Sequence, residues 1–220
     1  YSWDSLGVQS PSIIIENDTL KCWYVGKTGY PMPYVNAIGF AWSVDGGITW
    51  RRRDEPVLEL NAARLVTDVA VVRQEDRYWM VITLLQNEVN GYFPSHLWQA
   101  NSADGLDWDL ESQIIGYNEG WFLAPLGDSQ LSLYRLEGRN ETYLAFAAVD
   151  RRLLGNGIAV ASTDDFRDWV VLDEPLITST GNRDQFDGGA VFSPDISYYD
   201  GRYVLLYGGI SERDQYSCIF

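Results

Sequence analysis

Apolar and polar positions alternate along this chain in short runs, and the runs recur. A nearly continuous apolar run comes first: Ile13 to Ile15, Val69 to Val72, Leu131 to Leu133 and Ala190 to Phe192. Unbroken apolarity over a few positions predicts a strand covered on both faces. A polar turn follows each run, at Glu16-Asn17-Asp18, Gln74-Glu75-Asp76, Gly138-Arg139-Asn140 and Tyr199-Asp200-Gly201. The next run alternates: Leu20, Cys22, Tyr24; Tyr78, Met80, Ile82; Tyr143, Ala145, Ala147; Tyr203, Leu205, Tyr207. A period of two marks a strand, and no stretch carries a convincing stripe at 3.6 residues.

A third apolar run leads into a turn of recurring composition. Ser43-Val44-Asp45-Gly46-Gly47-Ile48-Thr49-Trp50 returns as Ser102-Ala103-Asp104-Gly105-Leu106-Asp107-Trp108, and again as Ser162-Thr163-Asp164-Asp165-Phe166-Arg167-Asp168-Trp169. The serines are 59 and then 60 residues apart. In such a turn Asp accepts backbone N–H groups, Gly takes a positive φ and Trp packs back as the next strand begins. A longer match supports the same period. Trp3-Asp4 through Pro11-Ser12-Ile13 pairs with Phe186-Asp187 through Pro194-Asp195-Ile196 at a separation of 183 residues, three spans of about 61. Tyr24-Val25-Gly26 pairs with Tyr207-Gly208-Gly209 in the same register.

Four antiparallel strands per repeat, repeated radially, is the plan of an all-β protein of the β-propeller type. Repeats are expected near residues 8–57, 66–116, 126–178 and 187–220, forming a single partial propeller domain. The fourth stops where its third strand begins, so three blades and about half of a fourth are expected. Cut blades expose apolar faces, which predicts a longer natural protein, five-bladed when complete.

Charge narrows the partners. The 220 residues carry a formal net charge of −15, which disfavours nucleic acid and anionic membrane surfaces and suits neutral partners such as sugars. No apolar run approaches the ~20 residues that span a bilayer. Cys22 and Cys218 sit in apolar, strand-like contexts and read as buried thiols before they read as a disulfide. The compartment stays open, with a secreted or periplasmic one favoured.

The blade opening, Val-x-Ser-Pro-x-Ile followed by a polar turn and a Tyr-x-Gly strand, resembles the five-bladed propeller glycosidases. These are the arabinanase, xylosidase, invertase and levansucrase-like enzymes and the related mannoside phosphorylases. The Ser-x-Asp turn resembles the Asp box of the six-bladed sialidases. The first resemblance implies hydrolysis of a glycosidic bond by carboxylates that open the innermost strands, acting on an oligo- or polysaccharide. Two carboxylates in different protonation states must flank that bond. The openings here offer Asp4, Asp68, Asp128 and Asp187, with Asp68 and Asp128 as the central pair. Arg64 and Arg183, just before two openings, are candidates to hold substrate hydroxyls. The family pattern is incomplete. No Glu opens the third blade, and neither the Arg-Asp-Pro nor the Glu-Cys signature of invertases is present. A non-catalytic or degenerate sugar-binding propeller, a sialidase-like enzyme and transfer to phosphate therefore remain alternatives. Asp4 and Asp187 read equally well as turn residues.

Other residues weigh less. His96, the one histidine, lines the site or sits in an ordinary loop; alone it cannot build a multi-histidine zinc centre. No metal or cofactor is expected. Trp121-Phe122 and Tyr92-Phe93 are candidate sugar platforms, with Trp121 the stronger. The three Ser-x-Asp turns are expected to be structural and remote from any site.

Overall fold

The structure, a computed structural model, describes residues 2–27, 36–60, 64–86, 95–116, 120–125, 130–136, 139–150, 156–211 and 217–219. Every regular element among them is a strand. No helix is long and apolar enough to cross a membrane.

The first sheet runs β1 (Gly7–Glu16), β2 (Thr19–Lys27), β3 (Asn36–Ser43) and β4 (Arg51–Arg52), with β5 (Leu58–Glu59) also on β3. The second runs β6 (Arg64–Gln74), β7 (Arg77–Gln86), β8 (Ser95–Ser102) and β9 (Asp109–Ile115). In the third, β10 (Phe122–Pro125) and β11 (Leu131–Arg135) pair with β12 (Thr142–Asp150), followed by β13 (Asn156–Thr163). That strand pairs with both β14 (Val170–Val171) and β15 (Ile177–Thr178). The fourth is β16 (Ala190–Tyr199), β17 (Arg202–Ile210) and β18 (Ser217–Ile219). All pairings are antiparallel, and most join strands that follow one another in sequence, the exceptions being β3–β5, β10–β12 and β13–β15. The chain divides into two compact units, Tyr1–Ile114 and Ile115–Phe220.

Each unit closes over its own core. In the first, Trp23, Val25, Ile38 and Phe40 of β2 and β3 face Val69 and Val71 of β6 and Tyr78, Met80 and Ile82 of β7. These are alternate positions, so one face of each strand supplies the contact. Trp23 reaches farthest. It is fully buried, touches Phe40, Tyr78 and Trp108, and donates its indole N–H to the Gly105 carbonyl at 2.8 Å. In the second unit Ala145, Ile158, Val160 and Val191 form the centre, flanked by Ile196, Leu205 and Tyr207.

The 183-residue correspondence holds in the backbone. Leu6 N–H donates to the Lys27 carbonyl at 3.1 Å, and Gly189 N–H to that of Ile210 at 2.7 Å. Ser10 and Ser193 both take positive φ, 49° and 48°, where the register of β1 and of β16 slips. The hairpin turns also match, with φ of 47° and 61° at Asn17 and Asp18, and 48° and 76° at Asp200 and Gly201. Two consecutive positive φ values fit the right-handed twist of the flanking strands.

A side chain joins neighbouring sheets at the head of the third strand. Asn36 donates its amide to the Val66 carbonyl at 2.9 Å. Asn156 clasps Val191 twice, accepting from its N–H at 2.9 Å and donating to its carbonyl. Both carboxamides reach the first strand of the following sheet.

The Ser-x-Asp turns link third to fourth strands. Ser43 Oγ accepts from Gly47 N–H at 2.9 Å, while Asp45 accepts from Thr49 N–H at 2.9 Å and Thr49 Oγ1 at 2.6 Å. Ser102 and Asp104 repeat the arrangement, and Trp50 and Trp108 both donate to a glycine carbonyl at 3.0 Å. In the third turn the bonds run from Thr163 and Asp165, one residue later than the sequence alignment of Ser162 and Asp164. Thr163 Oγ1 accepts from Phe166 N–H at 2.9 Å, and Asp165 from Arg167 N–H at 2.8 Å. Phe166, at φ 58°, therefore stands where Gly105 stands at 79°.

Candidate carboxylate site

Asp68 lies near the start of β6, opposite Thr83, at the slip in register after Val66. The slip turns its side chain inward, and it is fully buried. A buried carboxylate needs donors. Ser10 of β1 donates to Oδ1 at 3.0 Å and Thr67 donates to Oδ2 at 3.0 Å. The left-handed backbone at Ser10 directs that hydroxyl, which also lies 3.3 Å from the Thr67 carbonyl. Gln9 donates to the same carbonyl at 2.8 Å. The polar cluster around Asp68 is thus assembled from two sheets.

Asp4 precedes β1 and its side chain is almost wholly buried. Arg52 of β4 forks onto both oxygens at 3.0 and 2.8 Å, Tyr24 donates at 3.0 Å, and Ser2 donates to Oδ1. Burial alone would push the Asp4 carboxyl up. The hydrogen bonds from Ser2 and Tyr24 and the charge of Arg52 outweigh it and hold the group below its ordinary value. The Tyr24 phenol is pushed up to about 12, by burial and then by Asp4. Trp3 stacks on Tyr24 at 6.2 Å and packs over Gly26, where a Cβ would lie 2.3 Å from the indole. Asp4, Tyr24, Trp50 and Arg52 border a cavity of about 400 Å³ with Val8, Pro11 and Cys22.

Asp187 repeats this pattern in the second unit. It accepts from Thr180 Oγ1 at 3.0 Å. Its charge and hydrogen bond add to burial in raising the Tyr207 phenol. Tyr207 is the counterpart of Tyr24, and Phe186 crowds Gly209 as Trp3 crowds Gly26.

Asp128 lies outside the described residues, as does the Arg64 side chain, whose backbone pairs with Gln86 at the head of β6. His96 stands half-buried on β8 opposite Leu84. Trp121 is 5% exposed, with its ring against Phe122 at 5.3 Å and near Gly157, so it presents no open stacking face. Arg183 is exposed, and its carbonyl accepts from Ser211 at 3.3 Å. Among the described residues no three His, Cys, Asp or Glu side chains gather as metal ligands. Sequence reasoning missed Ser10 and Thr67 as donors to Asp68, and Arg52 as the partner of Asp4. Tyr24 and Tyr207 carried a signal, since both fall in the 183-residue register beside Asp4 and Asp187.

Antiparallel sheets following one another along the chain, with an opening that repeats within it, define the fold as a β-propeller. No protein-family model and no curated protein matches it. Solved structures do. A mutant of the Bombyx mori GH32 β-fructofuranosidase BmSUC1 in complex with sucrose matches with a TM-score of 0.67 at 14% identity, over 94% of this chain and 46% of that one. A member of the GH130 mannoside phosphorylase family, described as containing glycoside hydrolases that target β-1,2 mannosidic linkages in Candida mannan, matches at 0.64 and 18%, over 92% and 60%. An N-acetylgalactosamine deacetylase from F. plautii in complex with blood group B trisaccharide matches at 0.73 and 12%, over 92% and 63%. The chain thus spans less than half of the β-fructofuranosidase. At these identities the likeness establishes the fold, that of the five-bladed propeller glycosidases.

Proposed function

We propose that this protein cleaves a glycosidic bond in a neutral oligo- or polysaccharide, with Asp68 as one of the working carboxylates. The observation that carries this reading is the placement of Asp68. It is fully buried near the start of β6, and Ser10 and Thr67 each donate to a different oxygen. Burying a carboxylate is costly, and a strand start needs none for folding. Several of the solved structures that match are glycoside hydrolases or phosphorylases by name, which supports the same chemistry. Asp128 is the second carboxylate in this proposal, acting as acid or base opposite Asp68. Asp187 and Asp4 are the remaining candidates.

A second reading has its own support. Asp4 is already committed to Arg52 and Tyr24, and Asp187 to Thr180 and Tyr207. Carboxylates held in this way suit a propeller that binds sugars without cleaving them. Turnover decides between the two. The protein is assayed against a panel of neutral oligosaccharides, among them fructo-, arabino- and manno-oligosaccharides. Cleavage of one, lost in Asp68→Asn with the fold kept, supports the first reading. Binding without cleavage supports the second.

A further inference from the structure

Asp68 of β6 pairs across the sheet with Thr83 of β7, so the two side chains share a face. Thr83 is fully buried, and its hydroxyl has no hydrogen-bond partner among the described residues. Its surroundings on this face are apolar. Val81 comes before it along the face and Leu97 of β8 lies opposite, both fully buried. A valine would fill the same space, and a buried hydroxyl without a partner costs stability.

The repeat sets this pair apart. With Met80 aligned on Cys22, Ala145 and Leu205, Thr83 corresponds to Val25, Ala148 and Gly208, none of which has a polar side chain. Their cross-strand partners are Gln9, Pro125 and Phe192, where the second sheet has Asp68. The carboxylate and the hydroxyl therefore enter together, in one sheet of the four, facing each other.

We propose that Thr83 is a positioning residue for Asp68: its Oγ1 accepts the O–H that Asp68 carries when protonated. The inference rests on the reading of Asp68 as a working carboxylate. An acid–base carboxylate passes through its neutral form in each turnover. When it takes a proton from an attacking water, the water oxygen bonds to the sugar carbon and one carboxyl oxygen becomes a donor. The Ser10 and Thr67 hydroxyls serve the ionised form, to which they donate at 3.0 Å each. Thr83 makes no bond to that form, and a hydroxyl accepts as readily as it donates. Residues directly opposite have Cβ atoms about 5 Å apart, a span that a hydroxyl and a carboxyl close with one hydrogen bond. A bond made only to the neutral acid raises its affinity for a proton. Gln9 and Ser10 of β1 and Asn36 of β3, which meet this end of β6, carry no charge. His96 of β8 lies opposite Leu84, one position along and on the other face.

The test follows the protonation of Asp68 itself and needs no substrate. Wild type, Thr83→Val and Thr83→Ser are labelled with 13C at the aspartate carboxyls, the Asp68 resonance being the one lost in Asp68→Asn. Thr83→Val should lower the Asp68 midpoint by about one pH unit, a tenfold loss of proton affinity, and Thr83→Ser should restore most of it. Should Thr83→Val not fold, Thr83→Ala is titrated in its place. Urea unfolding gives a second reading, which decides where Asp68 titrates below the acid limit of the spectra. At pH 7 Thr83→Val should be at least as stable as wild type, because it removes an unpartnered hydroxyl. Its advantage should shrink as pH falls, since wild type alone gains a bond when Asp68 is protonated. An unchanged midpoint, a raised one (Thr83 then being a third donor to the carboxylate) or a urea difference independent of pH would each overturn the proposal. Turnover of the oligosaccharide panel is scored apart. Cleavage with an unshifted midpoint overturns this inference alone, and a shifted midpoint without cleavage overturns the glycosidase reading alone. Where a substrate is cleaved, the acid limb of kcat/KM should move down in Thr83→Val with the midpoint.

Discussion

The Ser10 hydroxyl donates to Asp68 Oδ1 at 3.0 Å, across 58 positions of sequence and from one sheet to the next. The geometry of a carboxylate on β6 therefore depends on a backbone slip in β1. Ser10 pays for its left-handed φ in steric energy, and the bond to Asp68 offsets it.

This dependence separates two substitutions. Ser10→Ala keeps the backbone strain and strips Asp68 of a donor, so it should cost about 1–3 kcal/mol in urea unfolding. Ser10→Gly loses the same donor but relieves the positive φ, and should cost about 1 kcal/mol less. Equal losses would mean that the Ser10 backbone is not strained.

The third turn offers a test of size against conformation. Phe166 holds φ 58° and is 1% exposed, with its ring edge-on to Trp169 at 5.8 Å. Phe166→Gly relieves roughly 1–2 kcal/mol of backbone strain but removes a buried ring worth about 3–5 kcal/mol. The net should be a lower melting temperature. At Gly105 the order reverses, since a Cβ there would lie 2.8 Å from the Trp23 indole. Gly105→Ala should destabilise the fold through both the clash and the φ. A rise in melting temperature for either variant would contradict this packing.

Asp45 should make stability depend on acid. Hydrogen bonds from Thr49 and Ser43 lower its carboxyl to about 2, from an ordinary 3.8. A depressed folded-state value stabilises the fold above the unfolded value and loses that contribution as pH falls towards 2. Asp104 and Asp165 are lowered in the same direction by backbone N–H groups of their own turns. The urea midpoint should therefore fall between pH 4 and pH 2, and Asp45→Asn should flatten that slope. Parallel slopes for the two proteins would remove Asp45 from the account.

Cys22 should be silent until the protein opens. Burial pushes its thiol up to about 11. At pH 8 the thiolate fraction is then on the order of a thousandth, and the side chain is 8% exposed. A chromogenic disulfide should label Cys22 slowly in buffer and within minutes in 6 M guanidinium. Fast labelling in buffer, mapped to Cys22 by peptide mass, would show that the face of the first sheet opens.

Much of the fold was legible because strands announce themselves by period. The alternation at Leu20, Cys22 and Tyr24 and the recurring turns follow from local sterics, which each segment carries in its own sequence. The 183-residue register was readable for the same reason. The third turn was misaligned by one residue because Ser162 and Asp164 spell Ser-x-Asp while Thr163 and Asp165 make the bonds, and no glycine marks the positive φ, which Phe166 adopts. The surroundings of Asp68 were not readable. Ser10 and Thr67 are ordinary strand residues until two sheets come together, and no local pattern signals a hydroxyl that acts at a distance of 58 residues. Trp121 reads as a loop aromatic in sequence and is a packed ring in the structure, because only the chain around Gly157 shows what covers it.

The carboxamides of Asn36 and Asn156 have a consequence for how such a chain changes over time. They grip peptide groups, at Val66 and Val191, and a peptide group is the same whatever side chain it bears. A seam of this kind ignores the spelling of the strand it fastens. Neighbouring sheets can exchange nearly all their side chains in evolution and still meet in the same place. This is one way for an architecture to persist at 12–18% identity, long after the letters have stopped agreeing.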